Sequence, residues 1–199
     1  MPAKIHPTAI VDGTAELAEG VTVEAYAIIG PKVRIGAGTR IRSHAQFPYQ
    51  TTIGRTCDIH PGAVIGGDPQ DLKYQGEDSE LTIGDGNTIR ECVTINRGTG
   101  LGGGKTILGD NNLIMAYAHI AHDCLIGNEV IITNCAQLAG HIKVEDEAII
   151  SGMVAIHHFV TVGRLSFVAA FSAVRTDVPP YMIVDGTPAR VRKLNLEGL

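Results

Sequence analysis

Residues 23–41 read VEAYAIIGPKVRIGAGTRI, and the spacing of their aliphatic side chains decides the fold. Val23, Ile29, Ile35 and Ile41 stand six residues apart. An amphipathic helix needs apolar residues three or four apart, and a half-buried strand needs strict alternation, so neither explains this spacing. A six-residue repeat with one large aliphatic side chain is typical of a parallel β-helix, in which three repeats complete one triangular coil.

The same hexad runs through most of the chain, with two interruptions. The aliphatic position recurs from Ile5 to Ile65, returns at Ile83, and continues one residue out of phase from Leu108 to Val174. A narrow, close-packed interior leaves room for one large and one small inward side chain in each hexad. Small side chains accordingly recur four residues after the aliphatic position, for example at Ala27, Ala45, Cys57, Ala63, Ala118, Cys124, Ala136 and Ala148. We therefore predict an all-β fold, a parallel β-helix over residues 1–178.

The two interruptions predict loops that leave the β-helix, at about residues 66–82 and 97–107. The first reads GGDPQDLKYQGEDSELT and carries Asp71 and Lys73 near its tip. Loops on a rigid scaffold often carry functional residues. The second contains RGTGLGGGKT and lacks the strand–loop–helix setting of a phosphate-binding P-loop. We expect it to be a flexible excursion without a phosphate site.

Composition narrows the class of protein. The 199 residues are enough for one domain with a substantial core, and the formal net charge of −5 argues against general nucleic-acid binding. No apolar run is long enough to span a bilayer, so no stable membrane insertion is expected. The four cysteines form no C-x-x-C pair, and the N-terminus lacks the apolar core of a secretory signal. These features predict a cytoplasmic protein.

Histidines cluster at one place in the predicted coil. Residues 18 apart stack on successive coils, so one column runs up a single face, with the third and fourth hexad positions expected to project outward. Such a column indicates a working surface or a subunit interface, whereas isolated His6, His44 and His60 are interpreted as ordinary surface or packing groups. The column contains His122, Gly140, His141, His157 and His158, with His119 beside it.

Two chemistries suit this column. A histidine held by a carboxylate is poised as a general base, and Asp123 directly follows His122. Adjacent residues on a strand point apart, so a hydrogen bond between these two requires a turn. Clustered histidines could also bind Zn²⁺. Cys124 occupies the small inward position, so we expect a buried, unreactive thiol.

Several stretches resemble the UDP-N-acetylglucosamine acyltransferase family, whose members are hexapeptide-repeat enzymes. QDLKY and AHIAHDC are the most specific of them, and together the stretches span nearly the whole chain. The resemblance implies a left-handed β-helix, a homotrimer, and a first loop that reaches a neighbouring subunit. The stretches are IHPTAIV (5–11), QDLKY (70–74), IRECVTINRGT (89–99), AHIAHDC (118–124), LAGH (138–141), DVPPY (177–181) and NLEGL (195–199).

The resemblance also implies an activity. Family members transfer a (R)-3-hydroxyacyl chain from acyl carrier protein to the 3-position of UDP-N-acetylglucosamine, the first step of lipid A biosynthesis, without a cofactor or a metal. It places a general base at His122, an orienting carboxylate at Asp123 and an oxyanion-binding backbone N–H at Gly140. No nucleophilic serine or cysteine motif is visible, so direct transfer without a covalent enzyme intermediate is expected.

Substrate contacts follow from the same resemblance. Asp71 and Lys73 match residues that contact the sugar nucleotide, and the residue matching Ala170 closes the acyl groove and limits chain length. The chain departs from the family in having His158 where glutamine is common and Ala169–Ala170 where two glycines are common. The remaining predicted substrate-binding residues are His119, His141, His157, His158, Asn195 and Glu197.

Residues 179–199 are predicted to form a short irregular or helical tail. Family members continue beyond this point into a helical C-terminal domain, and the tail is expected to be its beginning. Two alternatives to the predicted activity stay open. One is a related hexapeptide acyltransferase acting on an aminosugar nucleotide or a glucosamine amine. The other is a γ-type carbonic anhydrase, also a trimeric left-handed β-helix, with Zn²⁺ bound by three histidines.

Overall fold

The computed structural model describes residues 1–196 and Gly198. These residues wind into a parallel β-helix of triangular cross-section, as the hexads predict. Most strands are two residues long, and the strands up to β27 pair in parallel with those one coil above or below. In the first coils the register is 18 residues, so that Ile28 pairs with Gln46 and Ile29 with Phe47.

The described residues form 28 strands and one short 3-10 helix. In chain order the strands are β1 Lys4–Ile5, β2 Ile10–Val11, β3 Glu16–Leu17, β4 Thr22–Val23, β5 Ile28–Ile29, β6 Arg34–Ile35, β7 Arg40–Ile41, β8 Gln46–Phe47, β9 Thr51–Ile53, β10 Asp58–Ile59, β11 Val64–Gly67, β12 Glu80–Ile83, β13 Thr88–Ile89, β14 Thr94–Asn96, β15 Lys105–Leu108, β16 Leu113–Ile114, β17 His119–Ile120, β18 Leu125–Ile126, β19 Ile131–Ile132, β20 Gln137–Leu138, β21 Lys143–Val144, β22 Ile149–Ile150, β23 Ala155–Ile156, β24 Thr161–Val162, β25 Phe167–Val168, β26 Ala173–Val174, β27 Met182–Gly186 and β28 Ala189–Leu194. The 3-10 helix is Gly100–Gly102.

Three sheets make the three sides of the prism. Sheet A has the order β1-β4-β7-β10-β13-β16-β19-β22-β25-β27-β28. Sheet B has the order β2-β5-β8-β11-β14-β17-β20-β23-β26, and sheet C runs through β3, β6, β9, β12, β15, β18, β21 and β24. The chain therefore passes from sheet A to B to C in every coil.

Most corners of the prism are formed by one residue with a left-handed backbone. That residue lies three positions after the aliphatic one, as at Tyr26 (φ 60°), Asp123 (φ 60°) and His141 (φ 62°). The left-handed conformation turns the chain sharply enough for the next two-residue strand to lie on the next side. Glycine adopts this conformation without steric cost, which accounts for Gly38 and Gly62 at equivalent positions.

The interior is filled as the hexads predict. The aliphatic residues of the three sheets meet on the axis, and the small residues pack beside them, with Phe47, Ile59 and Ile120 fully buried and Ala45 and Ala63 equally inaccessible. Side chains at the corners add a second periodic element. Asp110 and Asn128 each accept a backbone N–H from the coil below, which extends the ladder to the turns.

Both predicted loops leave the prism at the same corner, between sheets B and C. The first joins β11 to β12, and the second joins β14 to β15. The second loop has local structure of its own. It contains the 3-10 helix, whose N-cap Thr99 accepts the Gly102 N–H at 3.0 Å. Thr99 and Thr106, at either end of the loop, are buried because they contact the turn described below.

The prediction of an irregular or helical tail is wrong. β27 and β28 form an antiparallel hairpin, and β27 extends sheet A by pairing in parallel with β25. The reason is that Val184 pairs with Val168 and is buried, so it continues the aliphatic position of the coil beyond residue 178. The predicted site residue Glu197 lies outside the described residues. In the described part of the chain, no helix has the length and apolarity needed to cross a bilayer.

Candidate active site

His122 and Asp123 form a hydrogen-bonded pair at the corner between sheets B and C. They occupy a turn, with Asp123 in the left-handed conformation, and His122 Nδ1 lies 2.7 Å from Asp123 Oδ2. The predicted need for a turn is confirmed. The prediction that the imidazole projects outward is wrong in one respect, because the His122 side chain is only 7% exposed and that of Asp123 only 1%. Both lie outside the core of the prism, but they are covered.

The cover over Asp123 comes from the second loop. The Thr99 N–H donates to Asp123 Oδ1 at 2.8 Å, and the Thr99 hydroxyl donates to Oδ2 at 2.7 Å. The Asp123 N–H donates to the Thr106 hydroxyl at 2.8 Å. Sequence reasoning missed both threonines, because only the path of the loop brings residues 99 and 106 to this turn.

Gly140 lies one coil above, against the His122 ring. A β-carbon built on Gly140 would stand 2.5 Å from Cε1 and 2.7 Å from Nε2, so any side chain here would displace the imidazole. The Gly140 N–H donates to no acceptor among the described residues. A free backbone donor beside a histidine nitrogen can bind an oxygen that acquires negative charge.

The predicted histidine column is confirmed. His141 meets His122 edge-on with ring centroids 5.2 Å apart, and it stacks on Phe159 at 4.6 Å. His157 and His158 follow one coil further along the corner and are exposed. Sequence reasoning gave Phe159 no role. The available signal was its position, 18 residues beyond His141 and 36 beyond Asp123.

The surroundings of His119 favour its neutral form. It lies on β17, half-buried, with Nδ1 2.7 Å from the Thr94 hydroxyl. Burial lowers the pKa of His119, and the nearby His122 charge lowers that pKa further. A neutral histidine beside the His122–Asp123 pair can exchange hydrogen bonds with a polar substrate without adding charge.

Cys124 is not placed to act as a nucleophile. Its side chain is fully buried, and its thiol donates to the Ala139 carbonyl at 3.2 Å. Burial raises the pKa of Cys124 to about 12, so the thiolate is not available near neutral pH. The predicted burial of this thiol is confirmed.

The first loop is tied to the scaffold by Arg97. This guanidinium is almost fully buried, donates to the Gly66 carbonyl and to Asp68 Oδ1 at 2.6 Å each, and lies 5.0 Å from the centre of the Tyr49 ring. The two loops also meet directly, because the Gly100 N–H donates to Glu77 Oε1 at 3.1 Å. Thus the two interruptions form one connected structure at the corner of the His122–Asp123 pair.

Asp71 and Lys73 lie in that first loop, where they were predicted. Asp71 Oδ1 accepts the Lys73 N–H at 2.9 Å, which closes a local turn, and the Lys73 side chain is exposed. Neither residue hydrogen-bonds to the His122–Asp123 pair. The structure therefore brings the loop that carries them to the corner of the His122–Asp123 pair, and the Lys73 side chain is exposed to solvent.

Ala170 and Asn195 lie away from this corner. Ala170 is exposed at the corner between sheets A and B, just after β25. Asn195 is buried, and its amide donates to the Leu165 carbonyl at 2.8 Å at the corner between sheets C and A. Within one chain these two predicted contacts are not brought together with His122.

A metal could use only three groups of this site. The candidate ligand atoms of His122, Asp123 and His141 all lie within 4.8 Å of one another. An ion bound by all three would have to compete with the short hydrogen bond between His122 and Asp123 and with the two Thr99 donors on the same carboxylate. The arrangement therefore fits acid–base chemistry better than metal binding.

A buried histidine–carboxylate pair beside a glycine, on a β-helix of hexads, defines the class of hexapeptide-repeat transferases. Residues 105–140 match the model described as "Bacterial transferase hexapeptide (six repeats)". Residues 177–199 match a second model, "Udp N-acetylglucosamine O-acyltransferase; Domain 2". The chain belongs to the UDP-N-acetylglucosamine O-acyltransferase family.

Relatives over nearly the full chain establish this membership. The acyl-[acyl-carrier-protein]–UDP-N-acetylglucosamine O-acyltransferase of Thermodesulfovibrio yellowstonii is 50% identical, over 98% of this chain and 76% of its own. That of Agrobacterium fabrum is 45% identical, over 99% of this chain and 73% of its own. The crystal structure of the Moraxella catarrhalis UDP-N-acetylglucosamine O-acyltransferase superposes with a TM-score of 0.96 at 42% identity, over 98% of this chain and 76% of its own.

The superposition shows that the two chains coil with the same hand, because a TM-score of 0.96 requires it. Together with the hexapeptide-repeat match, this agrees with the predicted left-handed β-helix. Membership of this family argues against the γ-type carbonic anhydrase alternative, which depended on the clustered histidines alone. The chain is accordingly an enzyme of the acyltransferase class.

Proposed function

We propose that the protein transfers a (R)-3-hydroxyacyl chain from acyl carrier protein to the 3-hydroxyl of UDP-N-acetylglucosamine, the first step of lipid A biosynthesis. The observation that carries the proposal is the His122–Asp123 hydrogen bond of 2.7 Å beside the free backbone N–H of Gly140. The names of relatives that are 45% and 50% identical support the same reaction. Because those relatives are named O-acyltransferases, an ester product is preferred over the amide product of the aminosugar alternative.

His122 acts as the general base. A carboxylate can only accept hydrogen bonds, so Asp123 holds the hydrogen on Nδ1 and leaves the Nε2 lone pair free. Nε2 removes the proton from the 3-hydroxyl as its oxygen attacks the thioester carbon. Positioned proton transfer of this kind contributes roughly 10²–10⁴-fold to the rate.

Gly140 stabilises the charge that develops on the thioester oxygen. Its N–H, one coil above the imidazole, donates to the oxyanion of the tetrahedral intermediate. When the intermediate collapses, the C–S bond breaks, the ester remains on the sugar, and the imidazolium of His122 returns its proton to the departing thiolate of the carrier protein. No enzyme-bound acyl group is formed.

The predicted substrate contacts remain part of the proposal. Asp71 and Lys73 bind the sugar nucleotide, His119 and His141 position its hydroxyl and carbonyl groups, and Ala170 closes the acyl groove. The remaining contacts are His157, His158, Asn195 and Glu197. Support for the histidines comes from the shared corner, where His141 touches His122 and the surroundings of His119 favour its neutral form.

The proposed partners are acyl carrier protein, UDP-N-acetylglucosamine and two further copies of the chain. A homotrimer is supported by the exposed side of the column, because His157, His158 and Phe159 need a second wall to form a water-poor site. It is also supported by the positions of Ala170 and Asn195 at other corners of the prism, since a site between chains can join different corners. Light scattering that reports a monomer would contradict this assembly.

The enzyme is proposed to work in the cytoplasm, without cofactor or metal. The four cysteines are all free thiols, which is consistent with a reducing compartment. Acid–base chemistry by His122 needs no Lewis acid. Elemental analysis that finds about one Zn²⁺ per chain, lost together with activity on chelation, would contradict the metal-free mechanism.

The decisive experiment is a direct assay with UDP-N-acetylglucosamine and a series of 3-hydroxyacyl carrier proteins, with products identified by mass and by ester cleavage in mild base. The expected product is the 3-O-acyl sugar nucleotide. A base-stable amide formed from an aminosugar nucleotide would support the alternative acceptor, and the absence of any acyl product would contradict the proposal. Wild-type protein treated with heat serves as the control.

A further inference from the structure

We propose that Thr99 is a positioning residue that sets the geometry and charge of the His122–Asp123 pair. The inference rests on the proposed function of that pair. Thr99 is only 3% exposed and lies in the second loop, so it is not placed to touch substrate. Its backbone N–H and its hydroxyl both donate to the Asp123 carboxylate.

The Asp123 carboxylate receives three short hydrogen bonds, and His141 on the next coil is a further titratable group that faces it, with Nε2 3.7 Å from Oδ2. Thr99 supplies two of them, at 2.8 Å on Oδ1 and 2.7 Å on Oδ2, and His122 Nδ1 supplies the third at 2.7 Å on Oδ2. The Thr99 hydroxyl also accepts the Gly102 N–H at 3.0 Å. Because the Thr99 hydroxyl oxygen accepts from Gly102 on one side, its single proton points to the Asp123 carboxylate on the other.

The fit around the carboxylate leaves it one orientation. Any side chain on Gly102 would overlap the Asp123 carboxylate, so the loop backbone packs directly on it. With Oδ1 fixed by one Thr99 donor and Oδ2 by the other, the carboxylate cannot rotate away from the imidazole. The angle of the His122 ring, and the direction of its Nε2, then follow from Thr99.

The neutrality of Thr99 matters as much as its position. A cation at this place would cancel the carboxylate charge, whereas neutral donors hold the carboxylate and leave most of its charge to stabilise the imidazolium that forms during proton transfer. Removing one donor from the carboxylate should make the pair bind its proton more tightly. The acidic limb of the activity profile should therefore move to higher pH.

Thr106 offers a matched control. It is equally buried and contacts the same residue, but its hydroxyl accepts the Asp123 backbone N–H and does not touch the carboxylate. Thr106→Val removes a hydroxyl from the same turn and should destabilise the fold without changing how the pair binds its proton. Thr99→Ser retains the hydroxyl and should rescue the activity.

The experiment compares Thr99→Val, Thr99→Ser and Thr106→Val with the wild type, by kcat, KM for UDP-N-acetylglucosamine, the pH dependence of kcat/KM, and thermal denaturation. For Thr99→Val we expect kcat about tenfold lower, which corresponds to one hydrogen bond to a charged group. KM should stay within about twofold, because Thr99 does not touch substrate. The acidic limb of the kcat/KM profile should move to higher pH by about half a unit.

The results separate this inference from the function on which it rests. Acyl transfer by the wild type, with an unchanged acidic limb in Thr99→Val or an equal shift in Thr106→Val, would overturn the role of Thr99 alone. Loss of activity in Thr99→Ser equal to that in Thr99→Val would overturn it too, since the hydroxyl is retained. A wild type without acyl transfer would instead contradict the proposed function. If Thr99→Val does not fold, Thr99→Ala takes its place in the same comparison, because it also lacks the hydroxyl that donates to Asp123 and brings no larger side chain into the loop.

Discussion

Two histidine–carboxylate pairs in this chain have nearly the same local geometry but different surroundings. His122 Nδ1 lies 2.7 Å from Asp123, and His60 Nδ1 lies 3.0 Å from Glu91. Both imidazoles are mostly buried, with His60 11% exposed and His122 7%. Distance and burial of the histidine therefore do not distinguish a structural pair from a reactive one.

The other nitrogen and the other donors distinguish them. His60 Nε2 lies 3.5 Å from Asp58, so carboxylates flank both sides of its ring. Glu91 also forms an ion pair with Arg90, which takes up its charge. Nε2 of His122, by contrast, has no hydrogen-bond partner in the part of the chain that the structure describes, and the carboxylate beside it is held by neutral donors. A general base needs a free ring nitrogen, and of these two pairs the His122–Asp123 pair provides it.

The largest expected effect tests this contrast directly. His122→Ala should lower kcat by at least about 10², because it removes the base, while the fold is retained. His60→Ala should leave kcat within about twofold of the wild type and lower the melting temperature, because it empties a packed site between ion pairs. Steady-state kinetics and thermal melts check both. Wild-type turnover in the His122 variant would sink the assignment, and a larger loss in His141→Ala would move the base to His141.

The second effect concerns the glycine that faces the reactive pair. Gly140→Ala should lower kcat by about 10², because its methyl group would displace the His122 ring by a large part of an ångström. Gly152 has the same position in its hexad, but a β-carbon there would make ordinary contacts, with the Asn134 carbonyl at 3.4 Å and the Thr133 hydroxyl at 3.6 Å. Gly152→Ala should keep normal turnover. Equal kinetics in the two variants would mean that Gly140 serves only the fold.

A smaller effect concerns the acyl chain. Ala170→Gly should shift the preference toward longer 3-hydroxyacyl donors by roughly tenfold per methylene at the limit of the groove. Ala25 has the same hexad position as Ala170 and also lies at a corner between sheets A and B, but it belongs to a coil near the N-terminus. Ala25→Gly should leave donor preference unchanged. Competition between donors of graded length, resolved by mass, measures the shift, and a move toward shorter donors would mean that Ala170 does not end the groove.

The smallest effect tests the structural pair by acid unfolding. Hydrogen bonds and charge from Arg90, followed by His60, lower the pKa of Glu91 from 4.5 to about 2. Because the folded-state pKa is lower, the stabilisation from Glu91 is present above pH 4.5 and is lost as the pH falls toward 2. Glu91→Gln should flatten the fall in the free energy of unfolding over that window. Urea titrations at several pH values should show curves that converge at low pH, and parallel curves would contradict the role of Glu91.

The sequence by itself determined the β-helix, its coil length and the corner of the reactive pair. The reason is that one large and one small inward side chain in each hexad suit the narrow core of a three-sided coil. Because residues 18 apart stack in such a coil, the spacing alone aligns His122 with Gly140 and His141. The same periodicity predicted the two loops, because a loop is where the repeat stops.

Only the tertiary structure decided how the second loop covers the His122–Asp123 pair and how the chain folds after the last hexad. The contact of Thr99 with Asp123 depends on the path of a loop that has no period, and this contact covers the Asp123 carboxylate. The tail forms a hairpin whose first strand pairs with β25 at the end of sheet A, where Val184 lies beside Val168. Local sequence does not specify this long-range pairing. The different roles of His60 and His122 were likewise decided by neighbours on other coils, since a side chain's reactivity depends on which of its atoms remain free.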